Sequence, residues 1–162
     1  MDKSRYALQQ LTIQWYTDLY RFEVENKLWF EQFVDPRPED YFDYPVFETF
    51  QNQLIDEQEK HLGLYYLAIE DQVRVIGRFN LYDIKNDVIE LGYRISEVKA
   101  GQGITSHLVS EMIKIARLDG FKAIRARVDV RNPGSVRVLE KNGFKRIQKQ
   151  ENLVYFVCSL SE

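Results

Sequence analysis

The stretch Lys99–Leu108, KAGQGITSHL, holds two of the chain's 8 glycines, Gly101 and Gly103, on either side of Gln102. Glycine lets the backbone enter left-handed geometry and lets a ligand approach with no Cβ in the way. Directly after it comes an apolar pattern of helical period, and the first N–H groups of a helix have no internal partner and carry partial positive charge. A glycine turn running into Ile104, Thr105 and Ser106 therefore predicts a cradle for a phosphate-bearing ligand. Taken alone, the same GxG can serve merely to turn the chain between Ser96 and the helix. Two nucleotide signatures fail on spacing. A P-loop needs GxxxxGK followed by Ser or Thr, and a dinucleotide fingerprint needs a third glycine where this chain has Ser106.

A second reactive type lies just upstream. Glu90 interrupts the aliphatic run VIELGYRI, and strict alternation puts it on one strand face with Gly92 and Arg94. A carboxylate in that position serves either as a general base for an amine or as an ion-pair partner for Arg94. Cys158 has no histidine or acid near it in sequence and reads as a packed strand residue. His61 and His107, the only histidines, belong to no ligand cluster, so no metal site is expected. The acidic stretch PEDYFD is expected to be a solvated loop, with a role in attracting a cationic amine as the sharper alternative.

These residues need elements to hold them. Ile104, Leu108, Met112, Ile113 and Ala116 share one side of a 3.6-period helix, predicted from about Gly103 to Asp119. Upstream, Leu64–Glu70, Val73–Ile84 and Val88–Ser96 read as antiparallel strands joined by the turn-like DQ and KND. Downstream come a strand KAIRARVDV, a helix from Pro133 to Lys141 and two strands, around Lys145 and from Val154 to Leu160. Before residue 63 two helices are expected, separated by the proline-rich VDPRPEDYFDYP. The first follows a possible Thr12 cap, with Ile13, Tyr16, Leu19, Tyr20, Val24, Leu28 and Phe30 as its stripe; the second spans about Pro45 to His61. A short strand near Leu8 is an option. The order is ααβββαβαββ, an α/β sandwich on a mixed sheet.

With 162 residues and no repeat or linker, one domain over 1–162 is expected. The 44% hydrophobic share is that of an ordinary globular chain. With 25 acids against 22 bases, nucleic acid is not an expected partner. No apolar run reaches the roughly 18 residues of a membrane span and the N-terminus lacks a signal-peptide core, so a cytoplasmic location with no membrane partner is expected. The single cysteine fits a reducing compartment.

The segments IELGYRISEVKAGQGITSHLVSEMIKIA and VRNPGSVRVLEKNGFKR together resemble the GNAT superfamily of acyl-CoA-dependent N-acyltransferases, and within it the ribosomal-protein N-terminal acetyltransferases. The match runs from about Leu64 to Ile147. The family's loop pattern falls on Ala100 to Thr105, with Ala100 in place of a long polar residue and Thr105 in place of a small one. The resemblance implies a GNAT-like α/β sandwich with a mixed, splayed central sheet and helices on both faces. It implies acetyl-CoA as co-substrate, a primary amine as acceptor and direct attack in a ternary complex. By the same resemblance the pyrophosphate lies against Gly101, Gln102, Gly103, Ile104, Thr105 and Ser106. The pantetheine pairs with backbone at Tyr93, Arg94 and Ile95 and bonds Asn132, while Glu90 and Ser135 are the catalytic candidates. A tyrosine that acts as general acid in some relatives would fall at Leu139. The acceptor, a protein N-terminus or a small amine, is left open, as is a homodimer; a non-catalytic acyl-CoA-binding module is the alternative function.

Overall fold

The computed structural model describes residues 1–161. In chain order it contains β1 (Tyr6–Gln10), α1 (Tyr16–Glu25), α2 (Lys27–Glu31), α3 (Tyr44–Glu59), β2 (Leu64–Glu70), β3 (Arg74–Lys85) and β4 (Val88–Ile95). There follow α4 (Ile104–Leu118), β5 (Ala123–Asp129), α5 (Pro133–Lys141), β6 (Lys145–Gln150) and β7 (Leu153–Ser159). The strands form one sheet in the order β1-β2-β3-β4-β5-β7-β6. The hairpin turns are set by residues that tolerate positive φ: Asp71 and Gln72 close β2 onto β3, and Asn86 and Asp87 close β3 onto β4. All pairings are antiparallel except that of β4 with β5, whose intervening α4 supplies the crossover.

Helices cover both faces. The predicted stripe of α4 is buried at every position, packing with α5 residue Leu139 on Phe79, Leu91, Ile124 and Phe156. On the opposite face Tyr16, Leu19 and Phe22 of α1 and Phe47 of α3 cover Leu67, Ile69 and Val75. Each such aliphatic or aromatic side chain contributes about 1.5–3 kcal/mol by leaving water. Among the described residues no helix is long and apolar enough to cross a membrane.

The parallel pairing of β4 with β5 is short, joining only Val88, Ile89 and Glu90 to Ala123, Ile124 and Arg125. Beyond it β3 holds β4 as far as Ile95, while β7 holds β5 as far as Asp129. The sheet therefore opens in a V whose apex is Glu90.

The N-terminal region departs from the sequence expectation. The strand near Leu8 is present, but the first helix is two helices, α1 and α2, broken at Asn26. Asn26 leaves helical geometry (φ −107°, ψ 11°), its Nδ2 donating to Phe22 O and its Oδ1 accepting the Glu97 N–H at 3.0 Å. Thr12 precedes a 3-10 turn and makes no side-chain cap, and Ile13 and Leu28, expected in the apolar stripe, are 71% and 77% exposed. The PEDYFD segment is more than a solvated loop, because Tyr41 within it is buried in the core.

Candidate active site

The loop entering α4 begins with a 3-10 turn, Glu97–Lys99, closed by the Gln102 side chain donating to Val98 O at 2.7 Å. Gly101 and Gly103 adopt φ of +75° and +82°, the left-handed region that glycine enters without strain. An added Cβ at either would meet nothing within 4 Å, so the ground above the loop is open. α4 has Gly103 as its N-cap and no side-chain cap, and its first turn bond is His107 N–H to Gly103 O. Among the described residues the N–H groups of Gly101, Gln102, Gly103, Ile104, Thr105 and Ser106 therefore donate to no protein acceptor. Six consecutive free donors at the positive end of a fifteen-residue helix fit a pyrophosphate. The Ser106 hydroxyl accepts from Asn142 Nδ2 at 3.1 Å, which orients it while leaving its proton free.

The lip of the V formed by β4 presents backbone selectively. Ser96 N–H bonds Ile76 O, and with Arg94 opposite Arg78 this phase turns the polar groups of Arg94 and Gly92 toward β3. Tyr93 and Ile95 turn theirs into the gap. Of the three residues expected to pair with pantetheine, Arg94 is thus excluded by register, and Ile95 O already accepts from Trp29 Nε1 at 3.2 Å. The Arg94 side chain lies over the Phe30 ring at 5.1 Å, and burial together with neighbouring Arg37 pulls its pKa down to about 10.

Asn132 ends β5's excursion and caps α5, its Oδ1 accepting the Ser135 N–H at 3.1 Å. Its Nδ2 makes no bond among the described residues. Ser135 faces Tyr93 across the mouth of the V, the two hydroxyl oxygens 2.5 Å apart. Leu139 is fully buried core, so no polar group stands at that position.

Glu90 projects from the opposite face of β4. It is 8% exposed and pairs not with Arg94 but with Arg127 Nε at 3.2 Å and Arg125 Nε at 3.5 Å. Tyr82 also donates to it at 3.2 Å; burial and then the Glu90 carboxylate raise the Tyr82 pKa. The structure thus gathers the cradle, Tyr93, Asn132 and Ser135 on the α4/α5 side of the V, and sets Glu90 at its apex on the α1/α3 side. Tyr82, Arg125, Arg127, Asn142 and Asn26 are not among the residues singled out from the sequence. Period-two alternation of Arg125 and Arg127 in RARVDV was the available signal for the two arginines.

Behind this site lies a buried charge cluster. Glu23 is bound by Arg37 through two bonds, at 2.8 and 3.1 Å, and by Arg78 at 3.1 Å. Burial alone would raise the Glu23 carboxyl, but Arg37, Arg78 and Arg94 hold it below the usual range.

Residues 6–145 match the family model described as Acetyltransferase (GNAT) domain. The chain is 32% identical over 132 residues to the probable N-acetyltransferase YjcK of Bacillus subtilis (strain 168), covering 76% of this chain and 71% of that protein. It is 28% identical over 130 residues to the ribosomal-protein-serine acetyltransferase of Escherichia coli (strain K12), covering 78% and 71% respectively. The fold superposes on the crystal structure of the ribosomal-protein-S5-alanine acetyltransferase from Vibrio fischeri with a TM-score of 0.88, at 16% identity over 98% of this chain and 94% of that one. With the splayed sheet and the free donors of the α4 loop in place, this chain belongs to the GNAT acetyltransferase family and is an acetyl-CoA-dependent N-acetyltransferase.

Proposed function

We propose that the enzyme acetylates a primary amine, a protein N-terminus or a small-molecule amine, by direct attack in a ternary complex. Acetyl-CoA supplies an activated thioester carbonyl. The free N–H groups of Gly101–Ser106 hold the pyrophosphate, and the gap-facing backbone of Tyr93 and the Ile95 N–H pair with the pantetheine as an added strand would. Asn132 contributes through Nδ2, since its oxygen is committed to capping α5. Thr105 and Ser106 add their hydroxyls to these backbone contacts, and the bond that Ser106 Oγ accepts from Asn142 leaves its proton free to donate.

The acceptor enters from the α1/α3 face, where Glu90 is the carboxylate at the apex. An amine is mostly ammonium near neutral pH and must lose a proton before attack, and Glu90 takes it directly or through water. Arg125 and Arg127 compete for that carboxylate. The Arg127 side chain is 54% exposed and can turn into solvent, which frees one side of Glu90 for the incoming nitrogen. Ser135, on the other side of the gap, stands to stabilise the departing thiolate.

The observation that carries this reading is the coincidence of two openings: β4 parts from β5 after Glu90, and the same strand ends in a loop of unpaired N–H donors. A panel of amines and N-terminal peptides, followed by release of free coenzyme A thiol and by product mass, tests it. At least one amine is expected to give both signals. Tight coenzyme A binding with no thiol release from any amine would replace this reading with a non-catalytic acyl-CoA-binding module.

A further inference from the structure

The hydroxyl pair at the mouth of the gap has a determinable direction. Tyr93 stacks on Phe79 with ring centroids 5.5 Å apart and an interplanar angle of 14°, which fixes where its hydroxyl ends. That hydroxyl has one polar partner among the described residues, Ser135 Oγ at 2.5 Å. Ser135 in turn has no other side-chain partner among the described residues, and its backbone N–H is held by Asn132 through both Oδ1 and O. Each hydroxyl can both donate and accept, so the contact distance by itself allows either oxygen to be the donor. A phenol is a far stronger acid than an alkyl hydroxyl and its oxygen is the weaker acceptor, so the favoured arrangement has Tyr93 as donor and Ser135 Oγ as acceptor. Tyr93 therefore donates, and the Ser135 proton is left over.

We infer that Tyr93 is a positioning residue for acyl transfer: its hydroxyl donates to Ser135 Oγ and thereby aims the Ser135 proton across the gap at the sulfur of the leaving group. Accepting from Tyr93 also polarises the Ser135 hydroxyl and makes it a better donor. The inference rests on the acyl-transfer reading above. In the step itself the amine nitrogen bonds the acyl carbon and the C–S bond breaks with its electron pair on sulfur. One ammonium proton goes to Glu90 or water before attack, the second proton on nitrogen passes to water as the amide forms, and the new thiolate is met by the hydrogen bond from Ser135. Tyr93 transfers no proton; burial pushes its hydroxyl up to about 12, so it stays protonated throughout.

Two measurements test this, one of which needs no acceptor. Coenzyme A bound to the enzyme is titrated by the ultraviolet absorbance of its thiolate. In the wild type the bound thiol is expected to ionise at lower pH than free coenzyme A, and Tyr93→Phe and Ser135→Ala should each abolish most of that difference. With an amine substrate, Tyr93→Phe is expected to lower kcat about tenfold with the KM for acetyl-CoA within twofold, as for loss of a bond made mainly in the transition state. Ser135→Ala should lower kcat at least as much, and adding Tyr93→Phe to it should change nothing further. Independent, multiplicative losses, tighter acetyl-CoA binding by Tyr93→Phe, or an unshifted thiol titration in the wild type would each overturn the inference. A shifted titration that both variants remove, in an enzyme that acetylates no amine, would instead sink the acceptor reading and leave this one standing. Ser135→Ala keeps the Tyr93 hydroxyl in place, so the titration remains decisive even if Tyr93→Phe fails to fold.

Discussion

Gly103→Glu separates binding of the co-substrate from stability of the fold. Gly103 sits at φ +82°, and nothing lies within 4 Å of a Cβ built there. The substitution therefore meets no clash, only the penalty of a side chain in left-handed backbone, about 1–2 kcal/mol. For a chain of this length that lowers Tm by roughly 2–4 °C per kcal/mol. The effect on binding is electrostatic: a carboxylate roughly 5 Å from a pyrophosphate charge, at an effective dielectric of about 20, opposes it by about 3 kcal/mol. That is on the order of 100-fold in affinity for acetyl-CoA. Gly103→Gln carries the same backbone strain and nearly the same bulk without the charge, so it should bind far better than Gly103→Glu. Calorimetry at low and high salt reads the difference, which should shrink as salt screens the repulsion. Wild-type affinity in Gly103→Glu would refute the cradle's location, and equal weakening by Glu and Gln would show that backbone conformation rather than charge controls binding.

Asn132→Asp keeps the oxygen that caps α5 and removes the Nδ2 donor, so Tm should hold while acetyl-CoA binding weakens by about 1–2 kcal/mol; unchanged affinity by calorimetry removes Asn132 from the site. Glu90→Gln should lower kcat by about 10²-fold at neutral pH with acetyl-CoA affinity unchanged, and the rate should recover as pH nears the acceptor amine's own pKa. Normal turnover across pH would leave Glu90 as an apex ion pair with Arg125 and Arg127. Glu23→Gln should destabilise the fold by about 3–5 kcal/mol in denaturant titration, because Arg37 and Arg78 lose a buried partner. Since the folded Glu23 carboxyl lies below its ordinary value of 4.5, its stabilisation is complete above that pH and is lost as pH falls through the lower folded value. The variant should therefore show a flatter acid limb of stability, and an unchanged limb would assign acid unfolding to other groups.

What could be read from the sequence was local. The α4 stripe, the glycine turn before it and the strands and tight turns of the β2–β3–β4 meander are each written in neighbouring residues, and the structure places them as expected. Glu90's face also followed from alternation, but its partners did not. Arg125 and Arg127 arrive from β5 by a parallel crossover, whose register no short-range pattern encodes. Arg94 illustrates the same limit, since alternation gives the face of a side chain and not which neighbouring strand its backbone bonds. Nor does the sequence show that Asn132 caps α5 and so leaves the Ser135 hydroxyl to Tyr93. The break at Asn26 was hidden because asparagine leaves a helix only when its side chain finds a better partner, here the Glu97 N–H from a loop far along the chain.

That distant bond also explains why the N-terminal helices matter to a loop they do not contain. The segment from Ile95 to Gly103 has few backbone bonds of its own, as a loop with free N–H groups must. Its rigidity comes from outside. Trp29 of α2 holds Ile95 O, Asn26 holds the Glu97 N–H, and Lys99 is ion-paired to Glu70 of β2, which Arg5 also reaches. Free donors bind an anion well only if they are already pointed at it, because ordering them on binding would consume the gain. The helix break at Asn26 therefore gives up one turn of continuous helix to hold in place the loop that carries the cradle. The same α1–α2 unit packs on the sheet face from which we propose the acceptor enters, so in that reading one structural unit helps position both substrates relative to the gap between β4 and β5.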